Sequence, residues 1–508
     1  MQDGNSHFLG RTVEPLANAP SLDDLFRRSV GRKPHAEALI DPFDKVRVTG
    51  QEPRRLTYAQ ADQVVSNIAA HFVEAGLPVG SIVAVQLPNT IEATLTLLAA
   101  ARAGLVVAPL PQLWRQAELT DALNRIGARC IVGTTWIDSV DHAEIAMNAA
   151  AEAFSIRHVC MFGAGVPEGM VALDEVAFGR HPVHALSERD PSRANFISFD
   201  TTPEGLRAVP RTQMQIIAGG LAVFLATAVE PGARLMSAVM PSSFAGICAS
   251  TVTWLLSGGS LTFHHPFDAD VLLAQMARER CETLVAPAPL ALRLGETGAF
   301  AEASSLTQLI GLWRTPEQIA SSAVWTGAQR FSDLHVFGEA GLFALPRETD
   351  GAAAAVLPAS ALHRGPSSSA AGEAFVTPQG TLALRGAMVP VAAYAPPRSS
   401  RDGLAPRTMP DHVDTGYAAR LDRTTGAICI TAPPSGVVSV GGYRFLTNDL
   451  NDWAQRLPQG GMLTALPDRV SGHRLAGRAT DNSRARAALA QLGLNPLMVE
   501  AFRDRTSS

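Results

Sequence analysis

The chain has 508 residues, 46% apolar and 18% charged, so it carries ample material for a buried core, and its length predicts about three units or two large ones. Lys+Arg 42 against Asp+Glu 47 leaves a net charge of −5, which excludes a basic surface able to coat a phosphate backbone. No run of about 18 uncharged apolar residues is present, so no membrane span is expected, and the opening MQDGNSHFLGRTVEPL lacks the apolar stretch of a secretory leader. Five scattered cysteines (Cys130, Cys160, Cys248, Cys281, Cys429) with no CxxC predict a reducing, cytoplasmic location rather than a disulfide framework or zinc ribbon. Lys33 and Lys45 are the only lysines, so chemistry that needs a lysine beyond position 45 has none to use.

In chain order, SLDDLFRRSVG reads as a helix capped by Ser21, with Leu22, Leu25 and Phe26 at helical spacing. LTYAQADQVVSNIAAHFVEAGL is a second helix, opened by Thr57, with Val64, Ile68, Phe72 and Val73 on one face. SIVAVQLPN is a buried strand stopped by Pro88. IEATLTLLAAARAG is a helix ending at Gly104, and LVVAPL another buried strand. ELTDALNRIGA and RCIVGT repeat helix then strand. Between 210 and 300 the alternation returns in MQIIAGGLAVFLATA, LMSAVMP, ICASTVTWLLSGG, SLTFHH, VLLAQMARERC and TLVAPAP. Helices of this length between short apolar strands predict parallel sheets covered on both faces, in two similar halves. PRETDGAAAAVLPASALHRGPSSSAAGE reads as a loose connection. The strand-like pieces EAFVTP, GTLALRG, AICIT and GVVSVGG follow it, with a smaller mixed domain from about 425 that ends on the helix SRARAALAQLG.

LTYAQADQVVSNIAAHFVEAGLPVGSIVAVQLPNTIEATLTLLAAARAGLVVAPLPQLW, with PFDADVLLAQMARERCETLVAPAP, GVVSVGGYRF and LPDRVSGHRLAG, resembles the adenylate-forming superfamily of acyl- and aryl-CoA synthetases, adenylation domains and luciferases. The resemblance implies an α/β fold. Residues 1–424 would form a large N-terminal domain of parallel sheets in two similar halves plus a β-subdomain, and 425–508 a small, shortened α+β lid domain. It also implies ATP with magnesium, CoA as acceptor, and an acyl-adenylate intermediate, if the chain is an active ligase.

The residues at the family's nucleotide motifs depart from that expectation. The phosphate loop, Ser-Gly-Thr-Thr-Gly-x-Pro-Lys-Gly in the family, is matched by FISFDTTPEGLRAVPRTQ. Thr201, Thr202 and Thr212 are retained, and Arg207 sits near the lysine position, with Arg211 as a second candidate cation. Phe199, Asp200 and Pro203 replace the serine and two glycines, which removes backbone freedom and an N–H donor, and Asp200 and Glu204 would repel a polyphosphate. The adenine strand end is Gly311-Leu312-Trp313-Arg314, where Trp313 either fills the adenine space or points into the core. In the Tyr-Gly-x-Thr-Glu motif, HVFGEAGLFAL retains an aromatic ring at Phe337 and a glycine at Gly338. An ungapped match puts Gly341 at the acid, and a shifted one makes Glu339 the candidate magnesium ligand. The ribose aspartate of Thr-Gly-Asp becomes Tyr417, after Thr415 and Gly416. The hinge reads Ala432-Pro433-Pro434-Ser435-Gly436 without its Arg, Lys and Asp. Ser471-Gly472-His473 matches an earlier turn of the lid, and the chain ends before a lid lysine. The pair Gly441-Gly442 resembles the CoA-side turn, and MPSSFAGI (with Phe244), VAPAP and Phe337 are candidate walls of an acyl tunnel.

The reading is an acyl-CoA-synthetase-like protein with ATP-driven adenylation lost or weakened. It would retain an acyl or acyl-thioester site, or a partner role toward an acyl carrier or an active ligase. The alternatives are an active ligase using Arg207 or Arg211, and a structural or regulatory partner with no pocket. The nucleotide-site candidates are Thr201, Thr202, Arg207, Thr212, Phe337, Gly338 and Glu339. No catalytic residue and no metal ligand set is assigned.

Overall fold

The computed structural model describes residues 20–179, 193–265, 267–301, 303–358, 372–394, 411–457 and 460–503. The loose connection predicted after residue 345 lies partly outside them. Among the described residues no helix is long and apolar enough to cross a membrane.

Local sequence signals set the first elements. Ser21 caps the helix Leu22–Arg32 with Asp24 closing a capping box, and Thr57 does the same with Gln60 for Tyr58–Glu74. The apolar stripe of the second helix packs inward at Val64, Ile68 and Phe72. Val73 departs from expectation at 42% exposed, because one residue past Phe72 is about 100° further round the helix.

Two mainly parallel sheets form the body. The larger has eight strands in the order Gly341–Pro346, Arg330–Phe337, Gln308–Trp313, Thr283–Pro287, Arg234–Ser237, Ser260–Phe263, Glu37–Ile40, Arg55–Thr57. Its two outermost pairs are antiparallel and the rest parallel. The second has seven strands, in the order Gly205–Thr212, Ala194–Thr202, Val106–Pro109, Ile82–Val85, Cys130–Thr134, His158–Phe162, Val171–Ala172. All four residues of Ile82–Val85 are buried, as expected of a strand covered on both faces. In the main core, Tyr58 stacks on Trp254 at 5.8 Å and donates its hydroxyl to the Gly259 carbonyl at 2.7 Å.

A four-stranded antiparallel sheet follows, Glu373–Val376, Thr381–Arg385, Val413–Leu421 and Ile428–Ala432. Its third strand was not expected from the sequence. Its last strand, Ile428–Ala432, is followed by the first strand of the closing sheet at Val437–Val440. The closing sheet runs Tyr443–Leu446, Val437–Val440, Gly472–Ala479, Gly461–Asp468. The helices Thr447–Gln455, Asn482–Gln491 and Pro496–Glu500 pack on it around a separate core that includes Leu450, Leu463, Leu489 and Phe502. This small unit is the lid. Two helix predictions also change in detail. ICASTVTWLLSGG contains a π-helical turn at Cys248–Val252, and TLVAPAP splits into the strand Thr283–Pro287 and a helix beginning at Ala288, where Pro289 fits the first turn.

Candidate functional site

A cavity of about 460 Å³ lies between body and lid. On the body side it is lined by residues at or just beyond the carboxyl ends of the parallel strands: Trp114, Met240, Pro287, Arg314, Gly338 and Glu339. This is where open α/β sheets place ligands, because the strand ends leave a crevice between diverging loops. The lid contributes the Gly441-Gly442 turn, Tyr443, Arg444, Phe445 and Trp453. Tyr443 accepts a hydrogen bond from the Leu113 N–H at 3.1 Å, which seats the turn against the body.

The stretch expected to cradle phosphates is a closed β-hairpin. Ala194–Thr202 and Gly205–Thr212 stay paired up to Thr202 opposite Gly205, so Pro203 and Glu204 are its whole turn. Gly205 takes φ +115, which favours glycine, and Thr202 ties the turn by donating to Glu204. Asp200, 4% exposed, occupies the inner end. Its carboxylate accepts from Arg444 at 2.8 Å, from the Tyr394 hydroxyl at 2.6 Å and from the Glu339 N–H at 3.1 Å. Arg444 also donates to the Tyr417 hydroxyl at 2.5 Å. Gly338, at φ +56, permits this packing, since a Cβ there would meet Arg444 at 2.4 Å and Asp200 at 2.6 Å. Burial, with the Asp200 charge second, holds the Tyr394 hydroxyl well above the usual range, and burial pushes Tyr417 up to about 12. Both phenols are therefore neutral donors or acceptors near pH 7. Burial works against the Arg444 charge, and the Asp200 carboxylate with the hydrogen bond to Tyr417 outweighs it, so Arg444 stays protonated.

The expected site residues separate into three places. Thr201, Gly338 and Glu339 line the cavity, with the Thr201 hydroxyl on the Arg444 carbonyl at 3.4 Å. Thr202 holds the hairpin turn. Arg207 donates to the Ala393 carbonyl at 2.9 Å and lies over the Tyr394 ring. Thr212 is the N-cap of the helix Gln213–Thr227, its hydroxyl accepting from the Gln215 N–H. Phe337 is 1% exposed and packs edge-on against Tyr417 at 5.4 Å. It alternates with Val336 and Gly338, which face the cavity, so strand periodicity turns its ring into the core. Trp313 also points into the core and donates to Asp333 at 2.6 Å. Arg211 is fully buried against Phe244 at 4.0 Å, bonded to Ser198 and to the Glu339 carbonyl. Glu339 accepts from the Phe244 N–H at 2.9 Å, and burial raises its pKa against the opposing effect of Arg211. Of the expected acyl-tunnel walls, Met240, Ser242, Ser243 and Pro287 line the cavity, while Phe244 and Phe337 do not.

Three groups in the cavity escaped the sequence reading. Arg444 lies in the quoted GVVSVGGYRF, but nothing in that string signals a partner 244 positions away. Arg314 follows Trp313 and donates to the Ser243 hydroxyl at 2.9 Å. Glu118 accepts from the Arg115 N–H and from the lid's Asn495 N–H, both at 3.0 Å, and burial pushes its pKa up to about 7. Trp114, Phe199, Leu206 and Trp453 make much of the remaining wall apolar.

Residues 26–338 match the family described as AMP-binding enzyme. The sulfoacetate–CoA ligase of Cupriavidus necator is 26% identical over 243 residues, 47% of this chain and 46% of that protein. The medium-chain fatty-acid–CoA ligase of Escherichia coli is 34% identical over 92 residues, 18% of this chain and 16% of that one. The aligned part is therefore under half of either relative. Among solved structures, the amide bond synthetase McbA of Marinactinospora thermotolerans superposes with a TM-score of 0.68 at 17% identity, covering 94% of both chains. Apo MatB of Rhodopseudomonas palustris gives 0.62 at 18% identity, covering 93% of this chain and 92% of that one. At such identities the superpositions speak for the fold. With the family match extending over more than half of its length, the chain belongs to the AMP-binding enzyme family, which is adenylate-forming.

Proposed function

We propose that this chain is an acyl-CoA-ligase-like protein that binds an acyl group or acyl thioester without ATP-driven adenylation. One observation carries the reading. Two departures from the family motifs, Asp200 in the phosphate loop and Tyr417 at the ribose acid, converge on the same lid residue, Arg444. They form a satisfied, part-buried clasp where a nucleotide would need room and donors. Phosphoryl transfer depends on cationic and N–H donors aimed at oxygens that gain charge. Here the Glu339 N–H and Arg444 donate to Asp200 instead, and Asp200 and Glu204 add negative charge at the hairpin. ATP with magnesium does not fit these residues as arranged. Glu339, the candidate metal ligand, spends its carboxylate on the Phe244 N–H beside Arg211.

The alternative of an active ligase called on Arg207 or Arg211, and both are held by other partners, outside the cavity. The pocketless alternative is weakened by a cavity within the size range of small-ligand sites. CoA as acceptor, and an acyl carrier or active ligase as partner, are roles compatible with an acyl-binding protein. The test is calorimetric titration with millimolar ATP–magnesium, joined to a pyrophosphate-release screen over short, long and aromatic acids with and without CoA. The expected result is neither saturable nucleotide binding nor pyrophosphate. Pyrophosphate release with any acid overturns the reading.

A further inference from the structure

The helix Gln116–Ile126 begins against the lid. Its N-cap is Arg115, whose guanidinium has no acceptor to offer, so the free N–H groups of the first turn need other partners. The lid supplies one of them. The Ala117 N–H donates to the Gly493 carbonyl at 3.2 Å, and Gly493, at φ +64, lies so close that a Cβ would stand 3.1 Å from Gln116 Cβ. Glu118 makes the return connection. Its Oε2 accepts the Arg115 N–H and its Oε1 accepts the lid's Asn495 N–H. Leu494 and Met498 of the lid line the cavity beside it.

Among the described residues Glu118 has no ion-pair partner. The Arg115 guanidinium is turned to the Gln112 and Trp114 carbonyls and acts on Glu118 only from further off. The other groups on this seam do not neutralise it. Asp121 of the same helix and Asp449 of the lid are acids on the same cavity, and Glu152 of the neighbouring helix takes the Gln116 and Thr120 side chains. Tyr443 of the lid is neutral, since burial pushes it up to about 12, and Arg314 acts on Tyr443. The two N–H donors and the helix N-terminus favour the Glu118 charge, while the covering lid takes it out of water. Burial outweighs the donors and pushes its pKa up to about 7.

We propose that docking of the lid on the body takes up a proton at Glu118, so that this seam tightens in mildly acid and loosens in mildly alkaline solution. With the lid off, the carboxyl faces water at its ordinary 4.5. Docking is therefore strongest below pH 4.5 and weakens as pH rises through about 7. Between pH 6 and 8 the docking constant should fall about tenfold. No ligand takes part, so the outcome is independent of whether the chain adenylates.

The experiment follows hydrogen exchange of the full chain, without ligand, at pH 6, 7 and 8, with protection expressed relative to the chemical exchange rate at each pH. Wild type and E118Q are compared. Gln fills the same place in a capping box and stays neutral, so the helix start is kept. In wild type, protection of residues 443–446 and 493–498 should fall about tenfold from pH 6 to 8. In E118Q it should stay level, and at pH 8 it should exceed wild type. The strand Ile82–Val85 is the reference. Asp41, raised by burial to about 6, and Cys160, lowered by the Cys130 thiol to about 6, both titrate inside the body, and their effects would register there too. A Glu118 that only seats the lid would give level protection in wild type and lower protection in E118Q. That result overturns the inference, as does an equal slope in E118Q or an equal slope in the reference strand.

Discussion

Two clusters of buried charge differ in what they join. Lys45 donates to Asp41 at 2.8 Å and to Glu92 at 2.5 Å, with all three at most 2% exposed. Asp41 also accepts the Arg54 and Ile91 N–H groups, so this cluster closes loops of the body on one another. The Asp200–Arg444 clasp joins body to lid and is finished by two tyrosines. The first sets two carboxylates against one lysine, and burial, then Glu92, pushes Asp41 up to about 6. The second balances one charge with one. The contrast separates charge that holds the scaffold from charge that decides where the lid rests. It also shows why Lys45 has no role in the cleft.

The largest expected effect breaks the scaffold cluster. Lys45→Met leaves Asp41 and Glu92 facing each other and should cost about 3–5 kcal/mol of global stability in a denaturant titration. A loss under about 1 kcal/mol would erase the distinction drawn above. Asp200→Ala should cost roughly 2–4 kcal/mol, since Arg444, Tyr394 and the Glu339 N–H lose their acceptor together. Hydrogen exchange should rise in residues 437–503 and stay low in the parallel sheets, with D200A/R444M recovering part of the loss. Uniform exchange across both units would show that the clasp is not what seats the lid.

Glu118 sharpens the comparison through pH. Its pKa rises on folding from 4.5 to about 7, so the folded state binds more protons than the unfolded chain in that interval. Stability from this group is therefore full below pH 4.5 and falls as pH rises through about 7, by up to about 3 kcal/mol. Glu118→Gln should flatten that slope in melts recorded from pH 5 to 8. The smallest effect is expected at the hairpin. Pro203→Gly with Glu204→Gly should move stability by no more than about 1 kcal/mol and leave ATP binding undetectable, because Asp200 and Arg444 still fill the cleft. Nucleotide binding by that variant would assign the block to the turn instead.

How much of this was legible follows from the range of each interaction. The helix starts at Ser21 and Thr57 were readable because a cap is decided within four residues. The buried strand Ile82–Val85 was readable from its unbroken apolar run. The motif departures at Asp200, Trp313 and Tyr417 were visible one by one, while the side each ring faces was not. Phe337 retains the aromatic character of its motif position, yet strand alternation buries it, and Trp313 is turned to Asp333 by a hydrogen bond spanning 20 positions.

By itself, then, the sequence determined the alternation of helices and strands and the membership of a scaffold family, because caps, apolar periodicity and residue identity act over short spans. Only the tertiary structure decided that Asp200 and Tyr417 share Arg444, and that Arg207 and Arg211 are held by partners outside the cavity. Those outcomes depend on Coulomb and hydrogen-bond partners that are distant in sequence, 27 positions for Tyr417 and Arg444 and 244 for Asp200 and Arg444, and no local pattern encodes which partner arrives.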